Sequence, residues 1–273
     1  MFEIAKPIFI PYQHKGPVIS AFFAANFESD GQQAELKITG SARYKVTVNG
    51  SFAGHGPEQG SGYYSSTDIW DISDLVSWGL NQIVIEAVYH DQPHGAFIQA
   101  ELSADGSIVA ATGKNFIAFA DLERVQEVEI EDGRIPEVYE RTGCCMVPAK
   151  VEVLLPETIA IKRESPYPQY SMFYPEAAGR GPFPLEEGAW VTLDMKGRVR
   201  GFLKTLLQAE TKAKVEISFA TSLHQEPEAK VRFVLQPGEY EHETFDVYDF
   251  RYLTLSVLEG RAVLKEVSLR EVK

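Results

Sequence analysis

In the stretch YKVTVNGSFAG, Tyr44, Val46 and Val48 alternate with Lys45 and Thr47 and run directly into Asn49-Gly50. A period of two sends one face of a strand into a core and the other into water. Asn-Gly accepts the positive φ angles of a two-residue type I′ turn, whose twist matches the strands it joins. The segment therefore predicts a β-hairpin that needs a sheet partner to cover its apolar face. The same chemistry recurs at Ala104-Asp105-Gly106, between AFIQAELS and SIVAAT, and Gly79-Leu80-Asn81 marks another turn. Further apolar runs lie at Phe9-Ile10, Val18 to Phe23, Ala34 to Ile38, Ile83 to Tyr89 and Phe97 to Leu102. Short strands at this spacing up to about Leu122 predict a β-sandwich.

A chain of 273 residues has length for more than one such unit, at about 100–200 residues each. Composition changes between Asp121 and Glu187, where eight of the fifteen prolines fall and Asp121 to Arg141 holds eight acids against three bases. That is connector chemistry. A short strand is expected at Lys150 to Leu155, and the aromatic run PYPQYSMFYP implies that the connector lies against a domain. From Trp190 onward alternation resumes through Val215, Ile217 and Phe219, then Val231 and Phe233, then Leu253, Leu255 and Val257. One segment opposes a second all-β unit. Val199, Phe202, Leu203, Leu206 and Leu207 repeat at i, i+3, i+4, i+7 and i+8, the spacing of an amphipathic helix.

Charge and motifs exclude several functions. The net charge of −13, with no cluster of Lys and Arg, would repel a phosphate backbone, so no nucleic-acid partner is expected. The longest apolar run, Val18 to Ala25, is eight residues even when Ser20 is counted in, against the roughly 20 of a membrane helix, so no membrane partner is expected either. The start, MFEIAKPIFIPYQHKG, lacks a basic opening and a cleavage site, which gives a cytoplasmic expectation. Cys144 and Cys145 are adjacent and cannot staple distant strands, and no zinc-binding or phosphate-cradling motif occurs. No metal and no cofactor are expected.

The stretch ARYKVTVNGSFAGHGPEQGSGYYSSTDIWDISDLVSWGLNQIVIEAVY resembles the N-terminal sandwich of bacterial α-L-rhamnosidases. EVYERTG, Glu137 to Gly143, is similar to their connector, with Glu140 where an aspartate is common. VTLDMKGRVRGFLKTLLQAETKAKVEISFATSL followed by DFRYLTLSV resembles their second sandwich, with Asp194, Gly197, Gly201 and Phe250-Arg251-Tyr252 in order, although Thr221 to Leu223 lacks the usual acid. The resemblance implies an all-β chain of two β-sandwich domains of jelly-roll, galactose-binding-like type. Their expected bounds are 1–120 and 185–273, joined by the Pro-rich connector 121–184. It also implies that Val199 to Leu207 is strand, against its periodicity. In that family the catalytic groups sit in a helical (α/α)6 barrel, which would begin about where Lys273 stands.

The richest constellation is GYYSSTDIWD with YHDQPHGAF. Sugar sites combine flat aromatic faces with a few polar groups, so Tyr63, Tyr64, Trp70, His90, Asp91 and His94 are the candidate carbohydrate-binding residues. The competing reading, favoured because a fold resemblance gives no site by itself, makes Trp70 and Tyr89 core residues and puts the histidines on a solvated loop. No catalytic pair is nominated among 39 acidic residues; Asp91, Glu137 and Asp194 read as turn formers or strand-end caps. Arg251 reads as one half of a structural ion pair. The expected function is therefore an accessory, non-catalytic portion of an α-L-rhamnosidase-like glycoside hydrolase, inactive alone. Its expected partners are carbohydrate, including L-rhamnose-containing glycans, and a catalytic domain or subunit. The alternatives are a stand-alone carbohydrate-binding module and a scaffold that docks another subunit.

Overall fold

The computed structural model describes residues 2–10, 18–57, 67–90, 96–121, 137–141, 146–150, 152–153, 164–165, 170–175 and 181–272. Apart from one 3-10 turn at Ser73–Leu75, the regular structure of these residues is strand, and the fold is all-β. By contact the chain forms two units, one of Met1–Leu122 with Cys145–Pro168 and one of Glu123–Cys144 with Gln169–Lys273.

The first unit runs through β1 (Ile8–Phe9), β2 (Val18–Ser29), β3 (Ala34–Gly40), β4 (Arg43–Val48), β5 (Ser51–Gly56), β6 (Thr67–Asp71), β7 (Gly79–His90), β8 (Ile98–Ala104), β9 (Ser107–Ala111) and β10 (Ile117–Asp121). The next strand, β11 (Glu137–Arg141), belongs to the second unit, whereas β12 (Met146–Ala149), β13 (Glu152–Val153) and β14 (Glu164–Ser165) return to the first. Among the described residues one sheet has the order β13-β1-β8-β3-β6-β14, with β9 on β8, and the other β12-β10-β2-β7-β4-β5. Leu36, Ile38 and Leu102 from the first and Phe23, Val46 and Ile85 from the second share one buried cluster. Each such side chain contributes roughly 1.5–3 kcal/mol on burial.

The turn chemistry appears where the sequence places it. Asn49 and Gly50 take φ of 51° and 76° between β4 and β5, and Asp105 and Gly106 take 53° and 79° between β8 and β9. Asn81 joins two of these signals: its side chain accepts the Ser77 N–H at 2.8 Å, donates to Ser77 O at 2.8 Å, and accepts from Asn49 Nδ2 at 2.8 Å. A further anchor had no sequence signal. Glu101, 1% exposed on β8, receives the N–H groups of Glu3, Ile4 and Ala5 at 2.9, 2.9 and 3.2 Å, which straps the N-terminal segment to the sheet.

The second unit adds β15 (Tyr170–Phe173), β16 (Phe183–Glu186), β17 (Trp190–Ala209), β18 (Ala213–Ala220), β19 (Ala229–Leu235), β20 (Gly238–Glu243), β21 (Tyr248–Glu259) and β22 (Arg261–Val272). The pairing runs β11-β19-β18-β21-β17-β22-β15, with β16 on β22 and β20 on β17. Residues 121–184 thus divide their strands between the two units: β11 lies parallel to β19, β12 pairs β10, and β15 pairs β22.

The helix-like segment is part of β17, as the family resemblance implied. Val199, Leu203 and Leu207 belong to the inward alternation, whereas Phe202 packs on the other face against Tyr170, ring centroids 6.4 Å apart. Apolar residues on both faces of one strand mimic a helical repeat. The first half of β17 pairs β21, the second half pairs β22 and β20, and the exchange falls at Gly201, opposite both Tyr248 and Glu271. A Cβ at Gly201 would press into the Arg270 carbonyl oxygen, so only glycine permits this backbone approach.

Candidate functional site

Register places four strand ends at one end of the first unit. β5 finishes at Gly56 opposite Tyr44, β7 finishes at His90 opposite Val18, and β8 begins at Ile98 opposite Gly40. β6 begins beside them at Thr67, with Asp68 opposite Ile38. Both the β5–β6 and β7–β8 connections pass from one sheet to the other at this end. Loops that share an end of a sandwich cluster in space, which is how such folds build binding surfaces. Tyr63, Tyr64, Asp91 and His94 lie outside the described residues, and His90 closes β7.

Trp70 corrects one expectation. It is 1% exposed, packs beside Tyr44 with ring centroids 6.2 Å apart, and occupies the space where Gly54 lacks a side chain. Its ring is a core group and cannot lie against a sugar. Beneath the same strand ends the Tyr44 hydroxyl donates to the Asp68 carboxylate, both residues being buried. A Cβ on Gly56 would collide with both, so the glycine lets this pair close. The result is a buried polar pair at these strand ends. Sequence reasoning missed it, although TDIWD carries its aspartate at the second position.

In the second unit Asp194 is ion-paired. Arg251 grips it bidentately at 3.0 and 3.1 Å while lying 5.0 Å from the centre of the Tyr252 ring, so the structural ion pair expected of Arg251 is present. Asp194 Oδ1 also accepts the Lys196 N–H at 2.8 Å, the turn-forming role expected of it. The Arg251 hydrogen bonds hold its carboxyl below the ordinary 3.8, which unsuits it to donate a proton near neutrality. Asp30 and Asp105 are shifted in opposite directions. The hydrogen bond between their side chains raises Asp30 and lowers Asp105. That contact leaves no room for a glycosidic bond between them, and Asp105 also accepts the Ser29 hydroxyl at 2.8 Å and the Asp30 N–H at 2.8 Å. This pair closes turns. Among the described residues no group of three His, Cys, Asp or Glu side chains could hold a metal, and no helix is long and apolar enough to cross a membrane.

Each of the two units is all-β, and solved structures match this fold. In particular the chain is similar in structure to α-L-rhamnosidases. It matches the enzyme from Dictyoglumus thermophilum with a TM-score of 0.66 at 14% identity, over 98% of this chain and 35% of that one. For the Aspergillus terreus enzyme the values are 0.62, 17%, 98% and 36%. For the Streptomyces avermitilis enzyme, solved with L-rhamnose, they are 0.60, 14%, 94% and 29%. This chain therefore spans about a third of the length of the enzymes it matches. No protein-family model and no curated protein matches it.

Proposed function

We propose that this chain is an accessory, non-catalytic portion of an α-L-rhamnosidase-like glycoside hydrolase that supports carbohydrate binding. The observation that carries the reading is the fold match, which takes in 98% of this chain but 35% of the D. thermophilum enzyme. The first unit's strand ends that flank 58–66 and 91–95 are the proposed contact, through Tyr63, Tyr64, His90, Asp91 and His94, with Trp70 as support beneath. Catalysis belongs to a helical domain in this reading, with which the chain assembles. The test is direct: the 273-residue chain is incubated with p-nitrophenyl α-L-rhamnoside. No nitrophenol above a heat-killed control is expected, and release at even ~1 per second, a modest turnover, would overturn the accessory role.

A further inference from the structure

Trp190 opens β17 with 68% of its surface exposed. Leu193 and Met195 of that strand point into the second unit's core, so alternation turns Trp190, Thr192 and Asp194 to the opposite face. Register extends this face sideways. Trp190 lies opposite Ser256 and Thr192 opposite Thr254 on β21, and Ser256 and Thr254 lie opposite Glu216 and Ser218 on β18. Leu258, 41% exposed, is two residues beyond Ser256 on the same face. The platform is therefore an aromatic ring at one end followed by a ladder of short hydroxyls on adjacent strands.

Its electrostatics narrow the partner. Glu216 is neutralised by Arg232 at 2.6 Å and Lys230 at 3.6 Å, and Asp194 by Arg251 at 3.0 Å. Among the described residues this face carries no excess of carboxylate, so they do not select a cationic ligand. Among the described residues its large apolar groups are Trp190, Leu258 and, opposite Asp194, Tyr252, interrupted by hydroxyls and ion pairs rather than joined in the apolar centre of a stable protein interface. What it matches is a pyranose chain. One sugar needs a flat aromatic face for its C–H groups, and the next needs donors and acceptors for its hydroxyls. The Thr192 and Thr254 hydroxyls bond each other at 2.9 Å, which occupies one proton and leaves the other, with spare lone pairs, for a ligand. From Trp190 to Asp194 the strand rises about 13 Å, the scale of an oligosaccharide rather than a single sugar.

We propose that this face of the second unit binds a neutral oligosaccharide, stacking one pyranose on Trp190 and hydrogen-bonding its neighbour through Thr192, Thr254 and Ser218. It is a second glycan contact that shares no residue with the one proposed for the first unit. The test uses the full chain labelled with 15N, whose three tryptophans give three indole N–H signals. Cellotriose and a linear trisaccharide of α-linked L-rhamnose are titrated separately. At least one should shift the Trp190 indole and leave that of Trp70 in place. Trp190→Ala should weaken binding about tenfold, as loss of a stacking ring does, and Thr192→Val about threefold, as loss of a hydrogen bond does. Both sites are exposed, and an unchanged Trp70 signal certifies the fold of each variant. An unmoved Trp190 indole with both sugars at about 20 mM, far above a millimolar Kd, would overturn the proposal. So would self-association that Trp190→Ala abolishes without any sugar response, which would make the face a protein interface. Shifts confined to amides at Gly56, Thr67 and His90 would overturn this site and spare the first; shifts at Trp190 without them would do the reverse.

Discussion

Trp70 and Gly54 should behave as one packing unit. Trp70 Cη2, Cζ3 and Cζ2 stand 2.8, 2.9 and 3.1 Å from where a Gly54 Cβ would lie, and Trp70 is 1% exposed. Trp70→Ala removes a fully buried ring and should cost about 3–5 kcal/mol. Gly54→Ala drives a methyl into that ring and should cost about 1–3 kcal/mol. The indole atoms that would clash belong to its outer ring, which phenylalanine lacks. Trp70→Phe should therefore relieve the Gly54→Ala clash, leaving the double variant about 1 kcal/mol or more better than the sum of the singles. Urea unfolding followed by far-ultraviolet circular dichroism, with amide exchange of β4 and β5 to isolate the first unit's transition, gives all four stabilities. Additivity within about 0.5 kcal/mol, or a Trp70→Ala cost below about 1 kcal/mol, would refute this packing.

Two other perturbations report on charged groups. Carboxyl-carbon NMR titration should find Asp194 below 3.8 and Asp30 above it, because Arg251 stabilises the Asp194 anion and Asp30 shares a hydrogen bond with Asp105. A folded value below the unfolded one means that Asp194 adds stability above pH 3.8 which disappears as pH falls through its folded value; Arg251→Ala should return its midpoint towards 3.8. An Asp194 midpoint at or above that figure in the unaltered chain would contradict the pairing. Glu101→Gln should cost roughly 1–3 kcal/mol by replacing charge-assisted bonds with neutral ones. It should also speed amide exchange at Glu3, Ile4 and Ala5, and unchanged exchange there would count against the strap.

Local chemistry was legible and non-local pairing was not. Asn49-Gly50 and Asp105-Gly106 announced their hairpins because φ preference is a property of two residues. The alternation of β18, with Val215, Ile217 and Phe219 buried, announced a half-covered strand. Val199 to Leu207 misled periodicity because β17 carries apolar groups on both faces, Phe202 being covered by Tyr170. Glu101 faces away from the sheet's core by alternation, and the N-terminal strap bonds to it there, a contact across 96–98 residues that no local pattern encodes. The connector's proline and charge are equally silent about which unit takes each strand. At the candidate site, strand register brings the ends around His90 and Thr67 together, and Trp70, for which the sequence left a sugar-binding and a core reading open, is core. Trp190 gave no such signal until alternation fixed its face.

Carbohydrate contact at the loop end of the first unit is the central feature of the proposed function. Titrating L-rhamnose into the 15N-labelled chain tests this most directly, read at the amides of Gly56, Thr67, His90 and Ile98, whose strands end there. Progressive shifts at these positions are expected, with a dissociation constant near millimolar, about −4 kcal/mol, as befits one side of a shared site. Amides that stay fixed at tens of millimolar sugar, roughly ten times that constant or more, would contradict it.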